Sequence, residues 1–201
     1  MTGFDVVSRL FGLLLGLGLA EVLGGFARVW RTKTGATDIE PSNVRVGALV
    51  PLLGLLVIVD QTGFWIAFYD LRNLVPFNYA TLLTLLAIVG TFYAISTFVI
   101  PSEIAHWLDF DAYYFRVRRI VAGGMIAIHV ATLSFAIVLI ENSNQPFKNE
   151  TGVANVIGQI SSALFVPILI ALMASSKKRT QLVLLIVANA LLLAEAFTFS
   201  R

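Results

Sequence analysis

What most constrains this chain is the recurrence of long apolar windows along almost all of its 201 residues. Six windows, at about 4–27, 46–68, 77–100, 117–140, 153–174 and 182–199, each approach the length a helix needs to cross a bilayer. That length is roughly 20 apolar residues, because the hydrocarbon core is ~30 Å thick and a helix rises ~1.5 Å per residue. Runs such as Leu13-Leu14-Leu15 and Leu52 to Val59 are continuously apolar. The strands of a membrane barrel would instead alternate in polarity. Without water to satisfy backbone N–H and C=O groups, such runs must close their hydrogen bonds internally, as helices. The expected fold is an all-α, polytopic transmembrane helical bundle of six spans, forming a single membrane domain over residues 1–201.

Composition agrees. Charged residues make up 13% of the chain against 58% hydrophobic, and the mean hydropathy is +0.86. Soluble domains carry about 25% charged residues, so a water-soluble enzyme and a nucleic-acid-binding module are both excluded as readings. The absence of cysteine excludes disulfides, thiolate metal sites and cysteine nucleophiles. Met1 to Val7 lack a basic leader and the apolar run behind them is long, so the first window reads as a retained span.

Loop charge sets orientation. The first, third and fifth loops carry Arg28, Arg31, Lys33, Arg45, Arg116, Arg118, Arg119, Lys177, Lys178 and Arg179; the second and fourth carry only Arg72 and Lys148. Basic loops stay cytoplasmic, which predicts both termini outside and a multi-pass protein of the cell (inner) membrane. Arg9 and Arg201 mildly oppose this assignment. Asn149-Glu150-Thr151 forms a glycosylation sequon on the outer fourth loop.

Small residues recur every four positions in the first span: Ser8, Gly12, Gly16, Ala20 and Gly24. Such a stripe permits close helix approach, either within one bundle or between copies in a homo-oligomer. Gly123, Ala127 and Ala131 repeat the pattern in the fourth span, and Pro51 and Pro167 are candidate kinks.

Ionisable residues inside a bilayer are costly, which makes each a functional candidate. Arg9, Asp60, Gln159 and Glu195 fall in the outer half of their windows, with Asn189 and His129 near the midplane. Facing inward together, they would line a polar path that Glu21, Ser96 and Thr97 continue at the inner side. Carboxylates and an imidazole on such a path bind cations or relay protons. Each residue also has a plainer use, as a partner locking helices together: Glu21 with Arg28, or His129 with a carbonyl one turn back.

The third loop reads as an interfacial amphipathic helix over 102–115. Its His106, Asp109 and Asp111 are a candidate divalent-metal set, competing with simple pairing of the aspartates to Arg116, Arg118 and Arg119. Phosphate loops, hydrolase elbows, metalloprotease helices and potassium-channel filters are absent from the sequence, and it implies no cofactor. The leading expectation is a small channel or secondary transporter for an inorganic cation or proton. The competing ones are a structural or assembly subunit binding another membrane protein, and a membrane enzyme at the cytoplasmic interface.

Overall fold

A computed structural model describes residues 3–36, 44–107, 109–142 and 153–199, with side chains defined from residue 8 in the first helix and from residue 163 in the fifth. Six helices follow one another: α1 (Gly3–Lys33), α2 (Leu49–Asp70), α3 (Tyr79–Thr97), α4 (Phe110–Asn142), α5 (Val153–Ala174) and α6 (Lys178–Phe199). There is no strand among the described residues, only an isolated bridge in which Phe110 N donates to Arg45 O at 3.1 Å. Five helices, all but α5, are long and apolar enough to cross a membrane; in α5 the stretch Ala163–Ala174 is a shorter apolar helix. The sequon at Asn149 and the fourth-loop Lys148 lie outside the described residues.

The ends of the helices have local causes. Asn78 caps α3, its Oδ1 accepting from Thr81 N at 2.9 Å. Asp109 caps α4, its Oδ1 accepting from Asp111 N at 2.9 Å and Ala112 N at 3.3 Å. That cap explains a departure from the expected interfacial helix over 102–115. Its first half is irregular apart from one 3-10 turn at Ile104–His106, and residues 110–115 belong to α4. Pro51 stands in the first turn of α2, where a missing N–H costs nothing, so it does not kink the helix. Pro167 sits inside α5 and does remove a helical donor.

α1 and α4 outrun a bilayer. Their 31 and 33 residues extend about 46 and 50 Å at 1.5 Å per residue. The excess of α1 carries Arg31 and Lys33, and that of α4 carries Tyr113, Tyr114 and Arg116.

α2 is the central helix, touching α1, α3, α4 and α6; α1 lies against α3, α4 against α3 and α5, and α6 against α2 and α5. The core threads between them through Leu53, Leu56, Val57, Leu85, Phe92, Met125, Phe165, Leu169 and Leu185. α1 buries Phe11, Leu15, Gly18, Val22, Gly25 and Thr32. Those steps of three and four mark one helical face, and it is not the face of the four-residue stripe. A methyl group on Gly18 would come within 2.7 Å of Gln61 Nε2, and one on Gly25 within 2.8 Å of Ile100 Cδ1. Gly16 has nothing within 4 Å and Ala20 is exposed, while Gly12 meets only Trp65 and Gly24 only its own helix's Arg28. The expected stripe therefore packs little within one copy of the chain; Gly18 and Gly25 carry the close approach.

The C-terminal ends of α1, α3 and α5 meet the N-terminal ends of α2, α4 and α6 at one end of the bundle, which also gathers the basic residues of the odd loops. Contacts across it include Arg45 with Phe110, Lys178 with Asp111, and Arg118 with Leu172. We call it the basic end.

Candidate functional site

Two consecutive polar residues interrupt the apolar face of the central helix. Asp60 and Gln61 stand at the middle of α2, and both are buried. Adjacent residues diverge by about 100° around a helix, so they address different neighbours. Gln61 faces α1, its Nε2 donating to Leu15 O at 2.8 Å. Asp60 faces α4, its Oδ1 3.4 Å from His129 Nε2. Mid-helix placement puts Asp60 deeper than the outer-half position expected from its window, and level with His129.

The imidazole is fixed on its other edge. His129 Nδ1 lies 2.9 Å from Met125 O, and the ring leans on Phe165 at 4.9 Å between centroids. A carbonyl oxygen only accepts, so Nδ1 carries the hydrogen of that bond. Nε2 of a neutral ring is then a bare acceptor facing a carboxylate oxygen. Two acceptors hold a contact of this kind only with a proton between them, on the carboxyl or on the ring. A proton on either group would complete the contact.

The middle of the bundle also holds unused hydrogen-bonding capacity. Asp60 Oδ2, Gln61 Oε1, Thr132 Oγ1 and Asn189 Oδ1 are buried without a hydrogen-bond partner. Such groups are costly unless a water, ion or ligand reaches them. Asn189 sits on α6 with its Nδ2 donating to Leu52 O of α2 at 3.1 Å and to Leu185 O at 2.8 Å. Two turns separate Leu52 from Asp60, so Asn189 stands on the basic side of the pair. Glu195, further along α6 and half-buried, lies within electrostatic range of both Asp60 and His129. Four polar residues of the expected path, Asp60, His129, Asn189 and Glu195, are therefore gathered along one α2–α4–α6 junction.

Other members of the expected path lie elsewhere. Arg9 is exposed and forms no ion pair with Asp60. It is two residues before Phe11, which turns it well away from the buried face of α1. Glu21 pairs with Arg28 two turns along its own helix, Oε1 to Nη2 at 3.1 Å. Ser96 and Thr97 bond back to Phe92 O and Ala94 O within α3. The side chain of Gln159 lies outside the described residues.

The candidate metal set is dispersed. His106 pairs with Glu103 at 2.9 Å, Asp109 caps α4, and Asp111 Oδ2 takes Lys178 Nζ at 2.5 Å. No group of three His, Asp or Glu residues able to hold a metal ion occurs among the described residues. The aspartates do bind basic and backbone groups, but Asp111 takes Lys178 rather than the arginines of α4.

A second polar cluster, not expected from the sequence, locks the basic end. Tyr114 Oη donates to Gln181 Oε1 at 2.5 Å. Gln181 Nε2 donates to Leu172 O at 2.8 Å and Ser175 O at 2.6 Å, and Arg118 Nη1 donates to Leu172 O at 2.9 Å. These donors satisfy carbonyls left open where α5 ends, and the guanidinium suits the negative end of the helix dipole. Gln61 and Thr132 were also missed. Their signal was the one that marked Asp60, a polar side chain inside an apolar window.

No protein-family model, curated protein or solved structure matches the chain.

Proposed function

We propose that this multi-pass membrane protein is a small channel or secondary transporter whose cargo is the proton, carried through the Asp60–His129 pair. The observation that supports it best is the 3.4 Å contact of a buried carboxylate with an imidazole whose second nitrogen is committed to Met125 O. Such a pair exchanges a proton by moving it between carboxyl and ring. Asp60 Oδ2, Thr132 Oγ1 and Asn189 Oδ1 offer acceptors for the waters that would deliver it. Glu195 extends the chain of ionisable groups along α6 toward the end opposite the basic one. A hydrated or dehydrated divalent cation fits less well, because magnesium and calcium take about six to eight oxygen ligands and Asp60 and Glu195 supply few.

In this reading the basic end faces the cytoplasm of a cell (inner) membrane, and the exposed Gly16–Ala20 side of α1 is where copies would meet in a homo-oligomer. Proton flux into vesicles holding the purified protein, driven by a potassium diffusion potential, tests the reading. The wild type is expected to acidify the lumen, and the double variant Asp60→Asn, Glu195→Gln to fall to the rate of empty vesicles. Equal flux from the two would end the assignment. A stoichiometric second protein that copurifies in mild detergent, with no flux, would favour an assembly subunit instead.

A further inference from the structure

A groove of about 570 Å³ opens on the side of the basic end, between the last turn of α3, the Pro101–Trp107 segment and the first turns of α4. Its volume is in the range of small-molecule sites. Phe98, Pro101, Glu103, Trp107, Arg116 and Ile120 line it. Phe98 and Ile120 are exposed apolar side chains on the two helices, at 42% and 50%. Arg116, Glu103 and His106 are exposed polar side chains in the same lining. Trp107, half-buried, packs edge-on against Tyr113 with ring centroids 5.1 Å apart, a residue type that favours the membrane–water boundary.

Glu103 and Arg116 are the two formal charges in the lining, and they are engaged differently. Glu103 already holds His106 at 2.9 Å. Arg116 is exposed and has no carboxylate partner among the described residues; its guanidinium lies over the Trp107 ring at 5.4 Å. A cation–π contact uses none of the guanidinium N–H donors, and an N–H fork suits a phosphate. By contrast, a groove of about 720 Å³ near the other end, between α3 and α4, has Thr81, Thr84 and Ser134 in its lining and no charged residue.

We infer that the groove is a binding site for one bilayer phospholipid, with its phosphodiester on Arg116 and its acyl chains over Phe98 and Ile120. The occupant is a lipid rather than free phosphate because the site continues into an exposed apolar wall. An ion would leave that wall unused. The inference does not depend on proton transport.

The test is native mass spectrometry of the full chain, released from detergent after exchange into vesicles of phosphatidylglycerol, phosphatidylethanolamine or phosphatidylcholine. The wild type is expected to retain one phospholipid. Arg116→Ala should lower the retained fraction about tenfold, the scale of one lost charge-assisted contact. Arg31→Ala, which removes an exposed cation on α1, should leave retention unchanged. Ile120→Gln changes an exposed position and spares the charge; it should also lower retention, so the inference stands or falls even if the arginine variant folds poorly. Retention equal in wild type, Arg116→Ala and Ile120→Gln would overturn it. So would an equal loss in Arg31→Ala, or displacement of the lipid by millimolar inorganic phosphate.

Discussion

The bundle contains two buried polar clusters, and they are built on opposite principles. At the basic end, Tyr114, Gln181 and Arg118 exchange bonds of 2.5–2.9 Å with one another and with open carbonyls of α5. At the middle of α2, Asp60 has one contact of 3.4 Å and an oxygen with no partner. A densely bonded cluster, in which Arg118 Nε alone among these three side chains is buried without a partner, fixes helices in register. An under-satisfied one, held in place by the helices around it, keeps capacity for something that comes and goes. Buried polar groups in membranes are usually one or the other, and here both occur within a single small chain.

That contrast can be broken by substitution. The largest stability effect is expected at the lock. Gln181→Leu removes three hydrogen bonds and strands Ser175 O and the Tyr114 hydroxyl, at a cost of about 2–3 kcal/mol. A clear drop in the melting temperature in detergent should follow, with flux per folded molecule unchanged. Next comes Gly25→Ala, whose new methyl meets Ile100 within 2.8 Å; overpacking of this kind costs about 1–3 kcal/mol. Gly16→Ala, on the open side of the same helix, should leave the melting temperature level or raise it, since alanine exceeds glycine in helix propensity by up to about 1 kcal/mol. Gly16→Leu sharpens the point. It should not disturb the bundle, and a change in sedimentation behaviour would mark that side as a contact between copies. The smallest effect is expected at His106→Gln, whose pair with Glu103 is exposed on both sides and contributes little; its melting curve should overlay that of the wild type.

The helices were legible in the sequence because lipid leaves the backbone no alternative. Spans expected at 153–174 and 182–199 correspond to α5 and α6 within a few residues, while α1 and α4 run on past the apolar windows as continuous helix. Depth was legible only in part: polarity inside apolar windows brought Asp60, His129 and Glu195 to notice, but counting along the window set Asp60 further out than its place at the middle of α2. Azimuth was not. Arg9 is near the right end of α1 but turned outward, and the four-residue stripe drew attention from Gly18 and Gly25 to Gly16 and Ala20. A spacing rule names residues that share a face; only the neighbouring helices decide which face is buried. The lock at the basic end escaped for a related reason. Tyr114, Arg118 and Gln181 stand at span edges, where such residues ordinarily face water, and their convergence depends on how α4, α5 and α6 meet.

The central claim is that the mid-bundle cluster serves transport and the basic-end cluster serves stability. The most direct measurement takes proton flux per folded molecule and melting temperature on the same preparations of wild type, Asp60→Asn and Gln181→Leu. The account predicts that Asp60→Asn loses flux and keeps or gains melting temperature, because an amide relieves a buried carboxylate. Gln181→Leu should lose melting temperature and keep flux. If Asp60→Asn conducts protons like the wild type, or falls in melting temperature as far as Gln181→Leu, the division of roles is wrong.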